Sequence, residues 1–165
     1  MAGLMDELVV TLETQLELYR ELLKVSKEKK DVIVKNDTKT LQRLTSEENT
    51  IVGKLHKLDK KRIGTMFEIG TVLNIPDREY TLSALCGLLQ KSNKRDYERL
   101  FPLTDDTRSV LEELKNSNTH NKTLIENSLE YIEFSVNLIR TSDKKFYDTR
   151  GEEIGLKSGF FDAKQ

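Results

Sequence analysis

The chain has 165 residues, 33% of them charged, with a formal net charge of −1, no tryptophan, two prolines and eight glycines. Such a length suits one domain, or one domain with a tail, and a charge-rich, proline-poor composition suits long helices rather than sheets. The near-neutral balance excludes nucleic acid as an expected partner, because no cations are left over to neutralise phosphates.

The first seven residues, Met1 to Glu7, lack the basic and apolar regions of a signal peptide, and no apolar run reaches the roughly 18 residues of a membrane span. A cytoplasmic protein with no direct membrane insertion is expected. Cys86 is the only cysteine, which rules out an internal disulfide and fits a reducing compartment.

The first helix is predicted over about residues 4–34, with Met5, Leu8, Leu12, Leu16, Tyr19, Leu22, Leu23, Ser26 and Ile33 on its apolar stripe. Asn36 and Asp37 break it, and Asp37 or Thr38 caps the next. In the second helix, about 38–73, Leu41, Leu44, Glu48, Ile51, Leu55, Leu58, Arg62, Thr65, Ile69 and Val72 alternate three and four apart, the seam of a coiled coil. Helices one and two therefore pair as an antiparallel hairpin, with the charged seam residues Glu48 and Arg62 paired or reaching for the edge.

Pro76 ends that helix, and Thr81 caps a short one over about 82–91, whose leucines lid one end of the bundle. Pro102 reads as the first-turn proline of a third long helix, about 104–142. At about 100° per residue, Val110, Leu111, Leu114, Asn118, Asn121, Leu124, Ile125, Ser128, Leu129, Ile132, Val136 and Ile139 share one stripe of this helix. Asn118 and Asn121 form a polar seam within it, of the kind that fixes register.

Tyr131, Phe134 and Leu138 lie beside that stripe and widen the apolar arc to about 220°, against the ~100° that buries one helix face. Either another helix of the same chain or a partner helix must cover the surplus. The expected architecture is all-α: a helical bundle over residues 1–142 and a flexible tail over 143–165, whose apolar residues fall in the pairs Phe146-Tyr147 and Phe160-Phe161.

No catalytic constellation, metal-ligand spacing or cofactor loop is present in the sequence, and His56 and His120 are isolated. Neither an enzyme nor a cofactor-dependent protein is expected.

Three segments resemble the FlgN family of flagellar type III export chaperones. Residues 37–55 carry Asp37, Leu41 and Leu44, then a Thr- and Glu-rich run leading to Ile51 and Leu55. Residues 114–132 carry Asn118 and Asn121 leading into Leu124-Ile125 and Leu129-Glu130-Tyr131; the tail carries Phe146-Tyr147 followed by Gly151. The resemblance implies a chaperone that binds the C-terminal helical segment of hook-filament junction proteins and prevents their premature assembly. Leu124, Ile125, Tyr131, Ile132, Phe134, Leu138 and Ile139 would then form the cargo surface. It also implies docking on the cytoplasmic domain of the membrane export gate through Phe146, Tyr147 and Gly151. The alternative from another class is a structural coiled-coil protein that self-associates through the same face.

Overall fold

A computed structural model describes residues 2–76 and 80–150, with side chains for residues 2–76, 80–130 and 132–141. Four helices follow one another: α1 (Ala2–Val34), α2 (Thr38–Val72), α3 (Leu82–Ser92) and α4 (Lys94–Arg150). The fold is all-α, and the chain divides into two compact units, Met1–Lys122 and Thr123–Gln165.

In the first unit the turn between α1 and α2 is fixed by backbone geometry. Asn36 adopts φ 55°, a left-handed conformation that asparagine tolerates, which lets the Asp37 amide donate to the Val32 carbonyl at 3.2 Å and closes α1. Asp37 then caps α2 at once, its carboxylate accepting from the Thr40 amide at 3.1 Å and the Thr40 hydroxyl at 2.6 Å. The far end of α2 repeats the closing device, with Asn74 at φ 52° and the Ile75 amide donating to Gly70 at 2.9 Å.

These hydrogen bonds, the side-chain one first, hold the Asp37 carboxyl below its ordinary range. Its contribution is therefore complete above the ordinary aspartate value of about 4 and is lost as pH falls through the lowered folded value. Asp37→Asn keeps an acceptor at the cap and should show a shallower loss of stability than the wild type between about pH 5 and pH 2, read from urea midpoints. Parallel pH profiles for the two proteins would show that this cap is not linked to a proton.

The core has two parts. Met5, Leu8, Leu12, Met66, Ile69, Leu85, Cys86, Leu89 and Leu100 join all four helices at the end that α3 lids, as expected from its leucines. Leu18, Leu22, Leu23, Val25, Leu44, Ile51, Leu55 and Leu114 join α1, α2 and α4 farther along. Burial on α1 is wider than the single stripe predicted: Val9, Thr11, Gln15, Leu18 and Val25 are buried as well. The reason is that α1 packs on both α2 and α4. Helices α1 and α4 run parallel, since Arg99 meets Asp6 at 2.7 Å and Asn121 meets Ser26 at 2.7 Å.

The charged residues on the α2 seam are both paired: Glu48 with Lys29 at 2.7 Å across the hairpin, and Arg62 with Asp59 at 2.7 Å on α2 itself. Val72, placed on the seam by spacing, is exposed instead, while Met66 is buried. Near this end the connection to α3 takes over the packing. The Tyr80 ring lies over Gly70, where a Cβ would come within 2.1 Å of it, and meets Phe67 edge-on at 5.6 Å.

The long helix differs from its predicted bounds of 104–142 at both ends. It starts at Lys94 because Asn93 makes a reciprocal cap with Asp96: the Asn93 carbonyl oxygen accepts from the Asp96 amide at 3.2 Å, and its amide donates to the Asp96 carboxylate at 2.7 Å. Pro102 is thus an interior proline rather than a first-turn one. It removes one helical hydrogen bond, a cost offset by the complete burial of Leu100 and by the stacked rings of Tyr97 and Phe101, 5.3 Å apart. At the other end α4 continues to Arg150, so part of the expected tail is helix. Phe160 and Phe161 lie outside the described residues.

Candidate functional site

Within the first unit α4 presents Thr107, Val110, Leu114, Ser117 and Asn121 inward, spaced alternately three and four apart. The Asn121 amide donates to the Ser26 carbonyl at 2.7 Å and contacts its hydroxyl at 3.2 Å. The Ser26 hydroxyl in turn donates to the Asn118 side-chain carbonyl at 2.9 Å and pairs with the Ser117 hydroxyl at 2.7 Å. Asn121 is buried and Asn118 exposed. Both asparagines serve α1, so the polar seam fixes the register of α4 within the chain.

The second unit carries the described end of α4. Leu124, Ser128 and Ser135 form a half-buried line, and large apolar side chains stand on either side of it. On one side Ile125, Leu129, Ile132, Val136 and Ile139 alternate four and three apart, the spacing of a coiled-coil seam. On the other stand Phe134 and Leu138. Ile125 is 36% exposed, and Leu129, Ile132, Phe134, Leu138 and Ile139 are between 54% and 64% exposed. A contiguous helical surface of this kind is the usual mark of a partner site.

The predicted surface residues Ile125, Ile132, Phe134, Leu138 and Ile139 thus share exposed faces of one helix, while Leu124 lies half-buried between them. Leu129 belongs with them, a place that its position in the four-three spacing marks in the sequence. The side chain of Tyr131 lies outside the described residues. Phe146 and Tyr147 are in α4, with side chains likewise outside them, and Gly151 is beyond.

Elsewhere the chemistry is sparse. Among the described residues no group of three or more His, Cys, Asp or Glu could hold a metal ion, and no helix is long and apolar enough to cross a membrane. Burial pushes the Cys86 thiol up, and its sulfur sits 4.0 Å from the Thr104 hydroxyl, so it packs as a small apolar group rather than a reactive thiolate.

The described part of the second unit thus exposes a helix-wide apolar face, a surface of the kind that accepts another helix. The FlgN protein family model matches residues 1–154, and the chain belongs to that family. Membership implies a flagellar export chaperone for hook-associated proteins, and family chaperones are non-enzymatic. No curated protein and no solved structure matches the chain.

Proposed function

We propose that this chaperone binds the C-terminal helical segment of a hook-filament junction protein on the exposed faces of α4, keeps it from assembling early, and delivers it to the export gate from the cytoplasm. The observation that carries this reading is the exposure of Leu129, Ile132, Phe134, Leu138 and Ile139 on one helix. A junction-protein segment that assembles through helices presents an apolar face when unassembled, and α4 offers a matching one as a helix-on-helix dock.

The magnitudes fit. Complete burial of a large apolar side chain contributes about 1.5–3 kcal/mol, and micromolar affinity needs about 8 kcal/mol net of ordering costs. Five or six such side chains give an interface strong enough to hold cargo and modest enough to release it without nucleotide hydrolysis. Phe146 and Tyr147, with Gly151, supply a separate contact for the cytoplasmic domain of the export gate. A tyrosine suits that role because its rigid ring anchors while its hydroxyl stays wet.

Separating the two contacts tests the proposal. Tyr147→Ala should bind a junction-protein C-terminal peptide with wild-type affinity in a titration and show reduced cargo secretion in a flagellated cell. Normal secretion by that variant would remove Tyr147 from gate docking; loss of peptide binding would move it into the cargo surface.

A further inference from the structure

A cleft of about 340 Å³ opens among α1, α2 and α4, wholly within the first unit, and the helix-docking reading makes no use of it. Its floor is Leu12 and Gln15 of α1, each 3% exposed. Asp59 and Arg62 of α2 line one side, and Thr107, Arg108 and Leu111 of α4 the other. Tyr19, Leu82 of α3 and Thr104 of α4, whose hydroxyl donates to the Leu100 carbonyl, complete the rim.

Two features mark the cleft as more than a packing gap. Helical threonines elsewhere in the chain, Thr11, Thr14, Thr45, Thr65 and Thr71 among them, donate their hydroxyls to the carbonyl four residues earlier. Thr107 does not: its hydroxyl oxygen is buried at the cleft and has no hydrogen-bond partner in the chain. Buried polar atoms are satisfied in the great majority of cases, so an orphan beside a cleft points to a ligand.

The charge balance is the second feature. The Arg62 guanidinium makes both of its close contacts, 3.1 and 2.7 Å, to one oxygen of Asp59 and so cancels that carboxylate. Arg108 forms no salt bridge with any described residue, including Glu112 one turn along. One uncompensated positive charge is left at the cleft. The Tyr19 phenol, pushed up chiefly by burial while Asp59 and Arg62 act on it in opposite directions, is protonated and can donate. Donors therefore outnumber acceptors, while Leu12, Leu82 and Leu111 give the cleft an apolar lining.

We propose that this cleft binds an aliphatic carboxylate, with the carboxylate against Arg108, the enclosed Thr107 hydroxyl turning outward to donate to it, and the stem against Leu82 and Leu111 over the Leu12 floor. A cleft of this size lies at the small end of ligand sites and suits a short aliphatic stem. The same chemistry is offered by a free medium-chain acid and by a glutamate next to a leucine on another polypeptide. The site is independent of the cargo surface on α4, and its test needs no cargo.

The test is a methyl and amide NMR titration of the full chain with octanoate, with octylamine and with acetyl-leucyl-glutamate amide. Octanoate or the dipeptide should cause saturable shifts at Leu12, Gln15, Leu82 and Leu111, and octylamine should not. Octanoate as the tighter ligand identifies a free acid as the source, and the dipeptide as the tighter ligand identifies a partner side chain. Arg108→Met, at an exposed position, should weaken the better ligand about tenfold, the order expected for one charge-assisted hydrogen bond. Thr107→Val, nearly the same shape, should weaken it several-fold without lowering thermal stability. Equal binding of octylamine, wild-type affinity in Arg108→Met, absence of a saturable shift from either anion, or shifts confined to residues 125–139 would each overturn the proposal.

Discussion

Replacing Phe134 and Leu138 together by aspartate is expected to weaken binding of a junction-protein C-terminal segment by at least about a hundredfold, since two buried apolar contacts of about 1.5–3 kcal/mol each are lost. Both side chains are largely exposed in the free protein, so the far-UV helical signal should be unchanged. Ile132→Asp with Ile139→Asp makes the same test on the other side of the Leu124–Ser128 line. Loss of affinity in only one pair would show which flank of α4 the cargo helix covers. Wild-type affinity in both would place cargo somewhere other than on this helix.

The largest effect on stability is expected at Leu8. Its side chain is completely buried where α1 packs with Met66 and Ile69 of α2, Leu85 and Leu89 of α3 and Leu100 of α4. Leu8→Ala should cost about 2–5 kcal/mol, because neighbours on four helices cannot all collapse into the space left. In urea this should lower the midpoint with little change in slope. Val10, two residues away and 57% exposed, provides the control: Val10→Ala should stay within about 0.5 kcal/mol of the wild type. A small cost at Leu8 would mean that the four-helix core is loosely packed.

Much of this was legible in the sequence because leucine spacing reports packing when a helix has one buried face. Helix α2 is such a helix, and Leu44, Ile51, Leu55, Thr65 and Ile69 are buried as their spacing predicts. Helix α1 is not, because it packs on two neighbours, and polar Thr11 and Gln15 are buried there along with Leu18 and Val25. No single period reveals a residue such as Thr11, which satisfies its hydroxyl on the Glu7 carbonyl at 2.8 Å and needs no apolar partner.

Helix α4 shows the converse. Its inward line is built partly from small polar residues, Ser117 and Asn121, so the large aliphatic residues that suggested one buried stripe are divided between packing and exposure. Leu114 is buried, whereas Leu129 and Ile132 are not. Periodicity located the apolar residues, but which of them are packed and which exposed depends on tertiary contacts that spacing alone does not report. The early start of α4 was readable in principle, from Asn93 and Asp96 three apart, and was masked by the proline at 102.

On the proposed function, a cargo helix covers the surface of α4 beyond Leu124. Amide hydrogen exchange of the chaperone, alone and saturated with a junction-protein C-terminal segment, tests this most directly. The predicted result is slowed exchange across residues 124–141 with cargo bound, with little change in the Leu8 and Leu44 regions. Unchanged exchange over 124–141 would contradict it, and protection there that grows with chaperone concentration in the absence of cargo would assign the face to a second copy of the chain.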